Sequence, residues 1–396
     1  MDELILVLNS GSSSLKFSAY GIDTENLNLI VRGLVDGLGN TPHFTAQNGQ
    51  GERIADVPLK DNVSSTGHAE ALAIVFDWLR RQFAERYSLV AVGHRIVHGG
   101  LNYSGPALID TAVMNELKEL VPLVPLHQPH NLEAVTAVRR MRPDIPQVAC
   151  FDTAFHRYRE KVTERFGLPE AMFHQGVRRW GFHGLSYESI ATKFQVMAPA
   201  EANGRLIIAH LGNGASLCAI RNRRSVDTTM SLTALDGLPM GTRCGTLDPG
   251  ALLYLLQRGM KPAEIEDLLY RQSGLLGISG VSNDVRRLLD SSQPLAAEAI
   301  EFFVYRVMRE IGSLAAALGG LDALIFTAGI GENSPLIRRR VCQGLAWLNL
   351  NIEEEKNEQN ATRLSIDGQT PSVWVIPTDE ESVIATHTLR LIRKSG

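Results

Sequence analysis

Residues 4–8 are all apolar, residues 9–14 are asparagine, serine and glycine, and residues 15–20 alternate between apolar and polar. That pattern predicts two strands joined by a tight turn. The plan returns about two hundred residues later without a gap. Residues 206–220 read LIIAHLGNGASLCAI, so Leu206 and Ile207 stand where Leu4 and Ile5 stand, and Ser216 and Leu217 where Ser14 and Leu15 stand. Segments 4–20 and 206–222 are therefore expected as superposable hairpins in two like domains. Residues 29–38 read as a third strand, and 39–63 as a turn-rich loop carrying short strands. Leu72, Val75, Phe76, Leu79 and Phe83 have helical spacing and predict a helix over 68–86, followed by a strand at 89–92. A helix at 131–141 stops at Arg142-Pro143, and a strand follows at 147–151.

The second half repeats the scheme. Strands lie within 206–230, helices at 249–258, 262–272 and 295–318, a strand at 323–327 and another at 373–376. Strands alternating with helices after an initial meander predict α/β layers on mixed sheets. The boundary falls near 150–155, giving domains 1–152 and 153–382. The apolar stretch 311–331 is divided by Gly319, Gly320 and Asp322. It reads as a buried helix, a turn and a buried strand, not as a membrane span.

Composition narrows the partners. A net charge of −4 gives no reason to expect nucleic acid or an anionic membrane. Cys150, Cys218, Cys244 and Cys342 are far apart in sequence and form no C-x-x-C pair, so reduced thiols in a cytoplasmic protein are expected. No basic segment precedes the first apolar run, and a signal peptide is not expected.

Hairpins tipped with small polar residues leave N–H groups and hydroxyls for an anion. Ser12, Ser14 and Lys16 are candidates to reach phosphate oxygens, with Asn9 holding a magnesium water. The turn lacks the G-K-[ST] ending of a Walker A loop. A single Ser/Gly turn needs no reading beyond closing a hairpin; the second copy at 212–216 makes a phosphate role the better account. Residues 326–333 suggest a third cradle: an apolar strand, Gly329-Ile330-Gly331, then Glu332-Asn333 opening a helix. Arg95 follows a strand and Arg243 sits in the loop MGTRCG, where a forked guanidinium suits a carboxylate or a phosphoryl group. Alone, either arginine is better read as half of an ion pair; the glycine-rich flanks favour function. His183 lies between glycines on a turn, and Asp152 ends a strand at the domain boundary. The pairs His94/His98 and His127/His130 are spaced for metal ligation. The first lies on a strand end and the second is interrupted by Pro129, so neither predicts zinc.

Seven blocks carry a resemblance to the acetate kinases, in that family's order and spacing, across essentially the whole chain. They are LNSGSSSLKF (8–17), GHRIVHGG (93–100), FDTAFH (151–156), GFHGLSY (181–187), HLGNGAS (210–216), MGTRCGTLDPG (240–250) and FTAGIGENS (326–334). The resemblance implies two actin-like, ribonuclease H-like domains with mixed sheets and a duplicated βββαβαβα plan. The last helix, at 383–396, would cross back to the first domain. It implies ATP and acetate as substrates, Mg²⁺ (or Mn²⁺) as metal and a homodimer formed through the second domain.

Its catalytic residues correspond to Asp152, His183 and Arg243, with Arg95 on the acetate carboxylate and His127 nearby. Val97, Leu126, Phe182 and Ala234 would surround the methyl group. ATP would meet Lys16, Ser12, Ser14, His210, Leu211, Gly212, Asn213 and Gly214, then Asp284, Val285 and Arg286, and Gly329, Ile330, Gly331, Glu332 and Asn333. Asn9 and Glu380 correspond to the metal site. Three positions depart from the family pattern: Ala234 for proline, Thr246 for aspartate and Asp379 for asparagine. An ionised carboxylate needs no general base, so Asp152 is expected to orient Arg243 or the metal water. Propionate kinase is the alternative within the class. An actin-like or chaperone ATPase is the alternative outside it, and it would have no use for Arg95, His183 and Arg243.

Overall fold

The computed structural model describes residues 1–11, 13–24, 26–59 and 67–395. The chain divides into two compact units, Met1–Phe155 with Asp379–Gly396, and His156–Thr378.

In the first unit, β1 (Asp2–Ser10), β2 (Leu15–Asp23), β3 (Asn26–Asp36), β4 (His43–Asn48), β5 (Arg53–Pro58), β6 (Tyr87–Ile96), β7 (Ala107–Leu108) and β8 (Gln147–Phe151) form one sheet. Its order is β5-β4-β3-β2-β1-β6-β8-β7. β1 to β5 are antiparallel neighbours in sequence order, while β6 runs parallel to β1 and β8 parallel to β6. β1 is apolar throughout its middle because both faces of the sheet are covered. Leu4, Leu6 and Leu8 pack with Leu72, Val75 and Leu79 of the helix His68–Phe83 and with Ala134 and Val138 of the helix Gln128–Met141. Ile5 and Val7 point to the opposite face and are fully buried.

The last helix, Glu380–Ser395, packs on β1 and β6. Gly93, the ladder partner of Val7, makes room for it. A Cβ at Gly93 would sit 2.4 Å from Thr388 Oγ1 and 2.7 Å from Ile384 Cγ2. Any larger residue would push this helix off the sheet.

The second unit holds β9 (Arg205–Leu211), β10 (Ala215–Arg221), β11 (Arg224–Thr228), β12 (Ala323–Thr327) and β13 (Ser372–Val375) in the order β11-β10-β9-β12-β13. This repeats β3-β2-β1-β6-β8 of the first unit: two antiparallel pairings, then two parallel ones. The mixed-sheet α/β plan is thus duplicated. No helix among the described residues is long and apolar enough to cross a membrane.

Both repeated segments are hairpins, but not in the gapless equivalence expected. In the first, Leu4 pairs with Gly21 and Ser10 with Leu15. In the second, Leu206 pairs with Ile220 and Leu211 with Ala215. Aligning β1 on β9 therefore leaves β2 three residues out of step with β10, because the Gly-Asn-Gly turn starts one residue earlier than the serine-rich one and is one residue shorter. Turn length sets register, and the apolar pattern tolerates the slip because both faces of β10 are buried.

Candidate active site

In the first unit a row of side chains crosses the sheet at the carboxyl ends of its parallel strands, where open α/β sheets place ligands. Lys16 pairs with Asn9 across β2 and β1. Leu8 pairs with His94, so Asn9 stands level with Arg95. Arg95 pairs with Cys150, and Asp152 lies two residues beyond, on the same face. The contacts follow the register. Arg95 donates from Nε to Asp152 Oδ1 at 3.0 Å and from Nη2 to Oδ2 at 2.6 Å, a bidentate fork. Its Nη1 donates to Asn9 Oδ1 at 3.2 Å. Asp152 is only 1 % exposed. The carboxylate expected to orient Arg243 or a metal water is here paired with Arg95.

Glu380 opens the last helix, and its Oε2 lies 3.7 Å from Arg95 Nε. Burial pushes its carboxyl up to about 7; the Arg95 charge opposes that rise and Asp152 adds to it. Burial works against the charge on Arg95, but Asp152 and Glu380 outweigh it and raise its pKa. Asp379 accepts the Ser382 N–H at 3.0 Å, capping this helix. Asparagine and aspartate cap alike, which accounts for the departure at this position.

Val97 is buried, and its N–H donates to Asn131 Oδ1 at 3.0 Å. Asn131 Nδ2 donates to the Ser10 carbonyl at 2.8 Å. Asn131 is therefore a positioning residue absent from the sequence reading; one helical turn past His127, it carried no motif to mark it. Leu126 and His127 are half-buried just ahead of the helix Gln128–Met141. Ser14 accepts the Gly11 N–H at its carbonyl, closing the first turn, and Lys16 is exposed. Ser12 lies outside the described residues.

The second unit presents a comparable row. His210 pairs with Ser216 on β10 and with Thr327 on β12. His183 stands at φ +57° just before the helix Gly184–Met197, a left-handed conformation that aims its ring back over β9 and β10. It stacks on His210 with ring centroids 4.2 Å apart. His183 Nδ1 and Ser216 Oγ share a hydrogen bond of 2.8 Å, and Tyr187 bonds the same hydroxyl. His210 Nδ1 and Ser186 Oγ share another of 2.8 Å, and Thr378 donates to Ser186 at 2.9 Å. Ser186 and Tyr187 were legible only as parts of the GFHGLSY block. Phe182 is buried, and its carbonyl is 3.0 Å from His156 Nε2.

Arg243 Nη1 donates to the Ala234 carbonyl at 3.0 Å. Its loop packs on the second hairpin: Gly241 donates to the Asn213 carbonyl, and a Cβ at Gly241 would lie 2.1 Å from Asn213 Oδ1. Thr246 donates to Asp236 Oδ1 at 2.9 Å, so the departure there ties down this loop.

Gly212, Asn213, Asp284, Val285, Arg286, Gly329, Ile330 and Asn333 line one cavity of about 450 Å³, together with Asn283 and Ser334. Asp284 caps the helix Val285–Leu289 and pairs with Arg286 at 3.0 Å. Leu211 is buried in β9, and neither it nor Gly214, His210, Gly331 or Glu332 lines this cavity. The third cradle differs from expectation. The short helix runs Ala328–Asn333, so Glu332-Asn333 close it instead of opening it. Ala328, at φ +64°, makes the turn. Glu332 Oε1 accepts the Ala328 N–H at 2.7 Å and the Thr378 N–H at 3.2 Å, which makes it a brace for the loop.

The comparisons agree with one another. The model of the acetokinase family matches residues 4–386. An acetate kinase of Rhodopseudomonas palustris is 51 % identical over 397 residues, covering 99 % of each chain. Among solved structures, Porphyromonas gingivalis acetate kinase superposes with a TM-score of 0.86 at 35 % identity, covering 98 % of this chain and 100 % of its own. A propionate kinase from Francisella tularensis superposes at 0.89 with 35 % identity, covering 98 % and 99 %.

Proposed function

The chain belongs to the acetokinase family, and from that premise we propose that it is an acetate kinase, transferring the terminal phosphoryl group of ATP to acetate by reversible in-line displacement. It is a phosphotransferase with a carboxyl group as acceptor. The observation that carries the reading is Arg95, fixed at a strand end by the bidentate Asp152 and Asn9.

Acetate is ionised at neutral pH, since carboxyl groups titrate near about 4. Its oxygen attacks without a base, and Asp152, already engaged by Arg95, has a positioning role. The unshared N–H groups of Arg95 would hold the acetate carboxylate, while Val97, Leu126, Phe182 and Ala234 would limit the acyl chain. Phosphoryl transfer asks the protein to orient two anions and spread charge. Arg243 and His183 would take the charge of the transferring group, with His127 as a further donor. The nucleotide would occupy the cavity between Asn213, Asp284 and Gly329, and Lys16, Ser14 and Ser12 would meet phosphate oxygens.

Asn9 and Glu380 offer oxygen donors of the hard type that suits Mg²⁺ or Mn²⁺, and a burial-stressed carboxylate fits a cation. The ion would screen phosphate charge. Exposed Leu253, Tyr254 and Tyr305 support a homodimer through the second unit, testable by sedimentation. Cysteines outside any disulfide support a cytoplasmic location.

Hydroxylamine trapping tests the whole reading. With ATP, Mg²⁺ and acetate the protein should form acetyl hydroxamate, and Arg95→Leu should abolish it. ATP hydrolysis without hydroxamate would favour an actin-like ATPase. A higher kcat/KM for propionate than for acetate would favour the propionate reading, which the Francisella likeness keeps in view.

A further inference from the structure

Three side chains of the first unit converge where phosphoryl transfer has no use for them. His68 opens the helix His68–Phe83 and is 5 % exposed at its side chain. Its Nε2 lies 2.6 Å from the Gly11 carbonyl. A carbonyl only accepts, so Nε2 carries the proton, and Nδ1 of the neutral ring presents a lone pair. That Nδ1 is 3.7 Å from Glu133 Oε2. His130 stacks on His68 with centroids 4.8 Å apart. Its Nδ1 is buried, has no hydrogen-bond partner and lies 3.9 Å from the same Glu133 oxygen. One ligand atom from each residue falls within a 4.8 Å span. With His68 neutral, its Nδ1 lone pair faces the Glu133 carboxylate, and a metal cation held by the three groups would replace that repulsion by attraction.

We propose that His68, His130 and Glu133 form a site for one divalent transition-metal ion of the zinc class, separate from the magnesium donors Asn9 and Glu380. Two imidazole nitrogens and one carboxylate suit zinc and disfavour magnesium. Bonds to zinc run about 2.0–2.2 Å, which puts tetrahedral donors about 3.4 Å apart, so the 4.8 Å span has to close by more than an ångström. His130, at 35 % side-chain exposure, can swing toward the buried His68, and Glu133, at 48 %, can follow, which leaves a fourth position open to water. His130 and Glu133 are three apart on the helix Gln128–Met141 and share a face. The Gly11 carbonyl serves as the outer partner that fixes the tautomer of His68, as metal-binding histidines require. Gly11 also donates to the Ser14 carbonyl, so the ion would brace the turn between β1 and β2.

The test is a Zn²⁺ titration of the full, chelator-treated chain against a chromophoric competitor. Millimolar Mg²⁺ is present to occupy oxygen-donor sites. One Zn²⁺ should bind, and Co²⁺ in its place should give the visible absorption of a four-coordinate nitrogen/oxygen site. Glu133→Gln and His130→Asn, both at partly exposed positions, should each weaken binding by more than the roughly 10–100-fold of a lost outer partner. Both should also erase the Co²⁺ band while leaving the metal-free melting temperature near that of the parent. No Zn²⁺ binding under Mg²⁺, or equal affinity and stoichiometry in parent and both variants, overturns the proposal.

Discussion

The same row of the same sheet plan carries an arginine, a lysine and a carboxylate in one unit, and histidine and hydroxyls in the other. Lys16, Asn9, Arg95 and Asp152 cross β2, β1, β6 and the end of β8. Ser216, His210 and Thr327 cross β10, β9 and β12, the matching strands. In the first unit a guanidinium is set by a buried carboxylate, and orientation comes from charge matched to charge. In the second, two imidazoles are set by hydroxyls, and Arg243 is anchored to a backbone carbonyl. A duplicated fold thus supplies positions, and the residues placed on them decide which anion each unit can hold. On the proposed reading, the first would suit a small carboxylate and the second a phosphate chain.

Four measurements break or sharpen that contrast. The largest effect is kinetic. Arg243→Leu should lower kcat by about 10³-fold or more, the scale of losing a transition-state arginine. Arg95→Leu should raise the KM for acetate as well, because it would hold the ground state too. Near-normal kinetics in both would remove the arginines from the site.

Stability separates the charged row from the row of histidine and hydroxyls. Arg95→Leu strands Asp152 without its partner, and removing one member of a buried pair costs about 3–5 kcal/mol. Adding Asp152→Leu should recover much of that loss in urea unfolding. If the double variant is no more stable than the single one, the pair does not act as a unit. Ser216→Ala, which removes a neutral bond, should cost only about 1 kcal/mol.

Acid tests a point on which the units are alike. Burial lowers His94 to about 4, partly opposed by its bond to Gln147. Burial, with the Arg159 charge, lowers His156 to about 3. Both folded values lie below the ordinary 6.5, so the unfolded chain takes up protons first. Stability is then full above about 6.5 and falls as pH drops toward 4 and 3. At pH 5 each histidine should account for roughly 2 kcal/mol of lost stability. His94→Asn and His156→Asn should each flatten the melting temperature between pH 7 and 5. A slope unchanged in both would place the acid loss elsewhere.

The smallest effect concerns acyl length. Val97→Ala should raise the ratio of kcat/KM for propionate over acetate by about tenfold, since one methylene is worth about 1–3 kcal/mol of discrimination. An unchanged ratio would show that another residue sets the limit.

Much of the scaffold was legible in the sequence because it follows local rules. The strand Gln147–Phe151 falls where its apolar run ends, and Pro143 closes the preceding helix. The helix His68–Phe83 follows the spacing of Leu72, Val75 and Leu79. The motif residues were legible too, as glycine-flanked arginines and histidines. The GIGEN loop was misread because Ala328 takes a left-handed turn that glycine-centred reasoning assigns elsewhere.

What the sequence by itself determined is the set of elements, their duplication and the chemical types at the strand ends, since periodicity and turn residues act over a few positions. Tertiary structure alone decided the pairings. It set the three-residue slip between the two hairpins, because turn closure chooses register where both faces are buried. It brought Glu380 to Arg95, because Gly93 admits the last helix onto β6. It joined His130 to His68 instead of His127, because two helices packed side by side outreach any spacing along one of them.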